Sequence, residues 1–222
     1  ERAVRMLLVG AASIAILTTV GIILSLIFNT LEFFRLYPVK LFFFEPTWLP
    51  SFGGGIDSDG NPLSKLGILP LLWGTIYISL IALAVAVPIG LFAAIYLSEY
   101  AGPKVRAVAK PMLEVLAGIP TIVYGLFALL TVGPMLIGVF GADGLGWMKA
   151  GTAVMTAGLV MGIMLIPFVS SLSDDIINAV PQAMRDGSYG LGATKSETVK
   201  QVVLPAALPG VVGAILLAAS RA

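Results

Sequence analysis

The chain has 222 residues, of which 58% are hydrophobic and 11% charged, with a formal net charge of +1. Soluble domains carry about 25% charged residues, so this composition excludes an ordinary water-soluble fold: there is too little polar surface to cover the apolar side chains, and the remaining solvent is lipid. Cysteine and histidine are both absent, which excludes thiolate and imidazole metal sites and His- or Cys-based nucleophilic catalysis, and the near-neutral charge offers no field to attract nucleic acid.

A helix needs about 20 apolar residues to cross a bilayer. Met6 to Phe28 is a charge-free run of that kind and predicts an N-terminal transmembrane helix within 1–28. It is too long for a signal-peptide core and no small-residue cleavage site follows it. Residues 29–65 read as an external segment, with turn signals at Gly53-Gly54-Gly55 and Asp59-Gly60-Asn61-Pro62. Leu66 to Ser98 predicts a second span, with Trp73, Tyr77 and Tyr96 as interfacial anchors. Pro111 to Phe140, carrying only Glu114, predicts a third, and Ala150 to Ser173 a fourth. Ala206 to Ser220 opens a fifth. The chain starts at Glu1 without methionine and stops inside an apolar run, so it reads as a piece of a longer protein.

Charge placement sets the expected orientation. With the N-terminus in the cytoplasm, Arg2, Arg5, Lys104, Arg106, Lys110, Arg185, Lys195 and Lys200 lie inside, against Arg35, Lys40, Lys65 and Lys149 outside. The positive-inside rule favours that arrangement. Pro88, Gly90, Gly118, Pro120, Gly125 and Pro167 fall within spans. In lipid, such breakers need neighbouring helices or water to satisfy the freed backbone groups, as in transporters, though each is also compatible with an ordinary kink. Gly158 and Gly162 form a small-xxx-small pair suited to close helix packing.

Residues 174–205 are too polar to span. Pro181 suits the start of a short helix over Gln182 to Tyr189, which Gly190-Leu191-Gly192 would stop. Thr194-Lys195-Ser196-Glu197 is a capping box that opens a second helix, expected to end at Pro205. A helix, glycine turn and helix between two spans make a rigid projection able to transmit force to a soluble partner.

This segment resembles the "EAA" loop of ABC-importer permeases: Asp186-Gly187-Ser188, then Gly192, Val202 and Leu204-Pro205 match that loop's spacing, with Asp-Gly-Ser in place of Glu-Ala-Ala. Further stretches are similar to the phosphate-specific (Pst) permeases. They are Leu66 to Pro70 with Gly74-Thr75, Tyr96 to Tyr100, and Glu114 to Gly125, a stretch that includes Tyr124. Lys110 to Glu114 and Trp48-Leu49-Pro50 resemble the PstC type more than PstA. The resemblance implies an all-α type I importer permease fold of about six transmembrane helices, the last beyond residue 222, with 66–222 as the permease core. It implies a heterodimer with a sister permease, two ATP-binding cassette subunits below and a periplasmic phosphate-binding protein above. It implies no catalytic chemistry and no cofactor in this chain; molybdate, tungstate or sulfate remain alternative substrates.

Other motifs in the chain fit their families less well. Gly190 to Ser196 superficially resembles a phosphate-binding P-loop, but Thr194 stands where glycine is needed before the lysine. Asp57-x-Asp59-x-Asn61 starts like a calcium loop, but Pro62 and Ile68 occupy the glycine and glutamate positions. A secondary transporter would need mid-membrane carboxylates, and only Glu114 comes near. Glu114 reads either as a pathway residue or as a partner of Lys110 one turn away. Asp174-Asp175 read as a solvated helix end, or as a contact to the ATPase or to the chain's own lysines. Arg221, about 20 Å along the fifth helix, reads as an anion-facing pathway residue, or as a charge that snorkels or pairs structurally. Arg221, Glu114 and Tyr124 are the candidates for the substrate pathway.

Overall fold

A computed structural model describes residues 2–50, 64–141, 144–146, 148–151 and 153–222; the predicted turns at 53–55 and 59–62 and the calcium-like triplet lie outside them. The chain divides into two compact units, Glu1–Trp73 and Gly74–Ala222.

In the first unit, α1 (Arg2–Leu36) continues past the apolar run and buries none of its residues. Its hydroxyls are satisfied within the helix: Ser13, Thr18, Thr19 and Thr30 each donate to the carbonyl four residues back, at 2.7–2.9 Å. That pairing removes the penalty for polar side chains in lipid. After α1 the chain turns at Tyr37, which is buried and stacks on Phe33, itself edge-on to Phe42. A short α2 (Val39–Phe44) leads to β1 (Trp48–Leu49), which pairs antiparallel with β2 (Lys65–Leu66). The Leu66 amide donates to the Tyr37 hydroxyl oxygen at 3.0 Å. Gly67 follows because a Cβ there would overlap the Glu45 carbonyl.

The second unit holds most of α3 (Leu69–Ile95), then α4 (Pro103–Ala117), α5 (Thr121–Phe127), α6 (Gly133–Phe140), α7 (Val154–Asn178), α8 (Gln182–Gly190), α9 (Lys195–Thr198) and α10 (Leu204–Ala219). The run from Pro111 to Phe140 is not one span. Pro120 lacks an N–H and drives Ile119 out of helical backbone, while the Gly118 amide closes α4 on Glu114 and Val115 carbonyls, both at 3.1 Å. The membrane-length helix in this region is Thr121–Phe140, and α4, with Arg106, Lys110 and Glu114, is a separate element.

Among the described residues, three π-helical turns adjoin the helices: Tyr96–Tyr100 after α3, Ala128–Val132 between α5 and α6, and Val199–Val203 between α9 and α10. Each is followed within three residues by a proline, Pro103, Pro134 or Pro205. A proline inside a helix removes one donor and pushes its ring against the carbonyl four residues back. Widening the preceding turn to i→i+5 bonds, such as Leu204 N to Val199 O, lets the helix pass Pro134 and Pro205 unbroken, whereas after the first π turn Ala101 is extended and Pro103 opens α4. This corrects the expectation that the second loop helix ends at Pro205: α9, the π turn and α10 form one helix, Lys195–Ala219.

Five helices among the described residues are long and apolar enough to cross a membrane: Arg2–Leu36, Leu69–Tyr100, Thr121–Phe140, Val154–Asn178 and Lys195–Ala219. In the second unit, α7 is the central one. Small residues of α3 (Ala82, Ala86) face Leu165 and Val169 of α7 and Ala218 of α10 in one core cluster; Ala94, Ile177, Val203, Ala207 and Val211 form another. A Cβ added at Gly162 would lie 2.9 Å from Val85 Cβ, and one at Gly158 2.7 Å from Ile81 Cβ. The small-xxx-small pair is where α7 closes on α3, as dispersion-driven packing in lipid favours.

Candidate coupling loop and translocation cavity

The polar segment folds as its local chemistry dictates. α8 starts after Pro181, whose fixed φ and missing donor suit that place. It ends where Gly192 takes φ +86°, the left-handed region that glycine enters without Cβ strain. There the Gly192 amide bonds Tyr189 O at 2.9 Å and Ala193 N bonds Ser188 O at 3.2 Å, closing the helix end. The capping box is present in full: the Glu197 amide donates to Thr194 Oγ1 at 3.4 Å, and the Thr194 amide donates to Glu197 Oε2 at 2.7 Å. Asp186 accepts a hydrogen bond from Gln182 Nε2 at 2.9 Å and is exposed. Gly187 has open space around it. Ser188 meets Thr198 hydroxyl to hydroxyl at 2.9 Å, holding α8 against α9. Leu191, at the turn, is 91% exposed, a large apolar side chain pointed away from the rest of the protein. Val202 lies in the π turn, partly buried beside fully buried Val203, and Leu204-Pro205 open α10.

Charges cluster where α4 meets the end of α7. Asp174, with a side chain only 3% exposed, accepts from Arg106 at 3.2 Å and from Lys110 at 3.1 Å, and Lys110 also reaches Asp175 at 2.7 Å. Asn178 Nδ2 adds a bond to Asp174 Oδ1 at 2.9 Å. Asp174 is therefore buried rather than solvated, while Asp175 stays exposed, and both hold the chain's own cations. The Asp175 carboxylate chiefly, opposed by partial desolvation and helped by Asp174, raises the Lys110 pKa above the ordinary lysine value of 10.5. The pairing of Lys110 with Glu114 does not form, because two carboxylates on α7 attract the ammonium more than one exposed glutamate on its own helix.

Of the three pathway candidates, two converge. Tyr124 and Arg221 line a single cavity of about 560 Å³ together with Thr121, Thr156 and Met164. Glu114 does not: it lies on α4 in a shallow groove with Arg106 and Lys110. Tyr124 donates to the Leu116 carbonyl at 3.0 Å, tying α5 to α4 across the break. The Arg221 guanidinium sits 4.7 Å over the Phe168 ring, a cation–π arrangement that leaves its N–H groups free of any carboxylate among the described residues. Thr156 was missed in the sequence. It is 3% exposed, and its hydroxyl has no hydrogen-bond partner among the described residues, an unusual state for a buried polar group. Only its place in the first turn of α7, two residues before Gly158, could have drawn attention to it.

These features define a mostly helical protein with five membrane-length helices among the described residues and a polar helix–turn–helix between the fourth and fifth of them. The fold agrees with a solved chain of the inward-facing MetNI methionine ABC transporter, at 19% identity and a TM-score of 0.54 over 70% of this chain and 67% of that one. The family model for the binding-protein-dependent transport system inner membrane component matches residues 86–222, and the chain belongs to that family. Several relatives bear the name phosphate transport system permease protein PstC. That of Mesorhizobium japonicum is 34% identical over 83% of this chain and 62% of its own length. That of Haemophilus influenzae is also 34% identical, over 88% of this chain and 68% of its own length. The chain thus spans about two-thirds of the relatives it matches.

Proposed function

We propose that this chain forms half of the translocation pathway of an ATP-driven importer that takes inorganic phosphate from a periplasmic binding protein. Its partners in this reading are a sister permease and two ATP-binding cassette subunits, which hydrolyse the ATP; this chain does no chemistry. The N-terminus faces the cytoplasm, so that α8 and Gly192 lie on the side where ATP is available. The observation that carries the reading is the mechanical continuity of the loop: the capped helix that starts at Lys195 is the same helix that reaches Ala219. A push on the turn moves a span. Exposed Leu191 supplies an apolar contact for a groove on the ATPase, and Asp186, Gly187 and Ser188 shape the approach to it. Val202, Leu204 and Pro205 carry the loop into the span.

Phosphate as substrate rests on the PstC relatives and on Arg221. An anion entering low dielectric needs part of its lost hydration replaced. One guanidinium does this with paired planar hydrogen bonds, without a cage that would stall release. Tyr124 shapes the same cavity.

The test is ATP-dependent uptake of radiolabelled phosphate by the assembled complex, with sulfate and molybdate in parallel. Arg221→Gln should abolish phosphate uptake while the complex still purifies whole, and Arg221→Lys should keep part of it. Full uptake by Arg221→Gln removes the pathway role, and loss of assembly instead assigns the residue to a structural pair. Faster uptake of sulfate or molybdate than of phosphate overturns the substrate.

A further inference from the structure

One buried ion pair joins the polar loop to two spans at once. Arg185 of α8 and Glu99 of the π turn after α3 lie 86 residues apart, yet Arg185 Nη1 meets Glu99 Oε1 at 2.5 Å. The two side chains are 11% and 6% exposed. The second arm of the same guanidinium, Nη2, donates to the Ile177 carbonyl in the last turn of α7 at 2.7 Å. Ile177 O is among the last carbonyls of α7, where its backbone partners are weak, as with Val180 N at 3.3 Å, and Arg185 supplies a shorter bond.

Apolar packing does not explain what holds α8 in place, because α8 buries none of its residues. Only Arg185 and Ser188 are even partly buried, one turn apart on one face, and each makes a polar contact: Arg185 to α3 and α7, Ser188 to Thr198 of α9. Beside this joint, Lys195 Nζ of α9 lies 5.0 Å over the ring of Tyr100, the neighbour of Glu99. A buried charge pair of this kind is rarely kept for net stability, since desolvation offsets its attraction, but losing one partner leaves an uncompensated charge. It makes a stiff joint with a fixed bearing.

We infer that Arg185 and Glu99 are positioning residues of the coupling step: their pair, with the Ile177 carbonyl, fixes α8 to the ends of α3 and α7, so that displacement of the loop moves three helices together. Without it, α8 swings on its Pro181 and Gly192 ends and a push on the loop is absorbed locally. The consequence for transport rests on the proposed ATP-driven function; the joint itself does not.

Two measurements on the assembled complex test this. Glu99→Gln keeps the size and one oxygen acceptor but removes the charge. Hydrogen–deuterium exchange of the amides of residues 182–190 should rise about a hundred-fold, with the middle of α7 unchanged. In proteoliposomes, phosphate moved per ATP hydrolysed should fall about ten-fold while ATP hydrolysis continues. Reduced stability alone would lower the amount of active complex and leave that ratio unchanged. If Glu99→Gln does not assemble, the double variant Glu99→Gln/Arg185→Gln, which leaves no unpaired charge, is measured in its place with the same expectations. Unchanged exchange in α8 overturns the joint, and loosened α8 with an unchanged transport ratio overturns its role in coupling. If the unaltered complex shows no ATP-dependent uptake, the proposed function fails, while the exchange result still decides the joint.

Discussion

Asp174 and Lys110 show how a single residue's partners decide its role. Asp174 is buried and held by two cations and an amide, so Asp174→Asn leaves Arg106 and Lys110 facing a neutral group and should destabilise the protein by about 3 kcal/mol. Lys110 is one-third exposed, and solvent screens it, so Lys110→Met should cost only about 1 kcal/mol. Because the folded pKa of Lys110 is raised, its contribution is fully present below the unfolded value of 10.5 and is lost as pH rises through the higher folded value. Denaturant titration in detergent should therefore give a constant difference between native protein and Lys110→Met through neutral pH, narrowing only above about 10.5. A difference that shrinks between pH 6 and 9 would refute the pairing.

At the scale of helices, the second unit is assembled through small residues, and glycines of equal propensity differ sharply in what surrounds them. A Cβ at Gly162 meets Ala82 O at 3.0 Å as well as Val85, whereas Gly213 of α10 has nothing within 4 Å. Gly162→Ala should cost about 1–3 kcal/mol by forcing α7 off α3. Gly213→Ala should be neutral or stabilise by up to about 1 kcal/mol, since alanine is the better helix former. Unfolding of the two variants in mixed micelles checks the contrast, and equal effects would show that α3 and α7 do not meet as described. The glycine pair was visible in the sequence because its spacing is local. Which helix it faces was not, because any of the other spans could have supplied the opposing groove.

The whole molecule has an orientation that charge distribution alone predicts. The chain lacks native cysteine, so a single Ser196→Cys, exposed in the first turn of α9, should react with an impermeant maleimide only after the membrane is permeabilised. Labelling in intact spheroplasts would reverse the proposed topology.

What the sequence determined by itself is whatever depends on neighbours within a few residues or on bulk composition. Apolar runs of bilayer length mark the spans whatever they pack against, since lipid demands internal hydrogen bonding of every such segment. The Gly192 turn and the Thr194–Glu197 box were legible because a left-handed φ and a capping bond need only residues i to i+3. Hydropathy alone also joined α4 to α5, because it weighs side chains and is blind to the donor that Pro120 lacks; likewise Pro205 read as a stop, when a π turn lets the helix run on. The tertiary structure decided everything that joins distant segments: Lys110 to α7 rather than to Glu114, Arg221 and Tyr124 in one cavity with Glu114 outside it, and Arg185 against Glu99. Such pairs are set by how helices cross, and helix crossing is chosen by packing small residues against one another, which leaves no periodic trace at the polar residues it brings together.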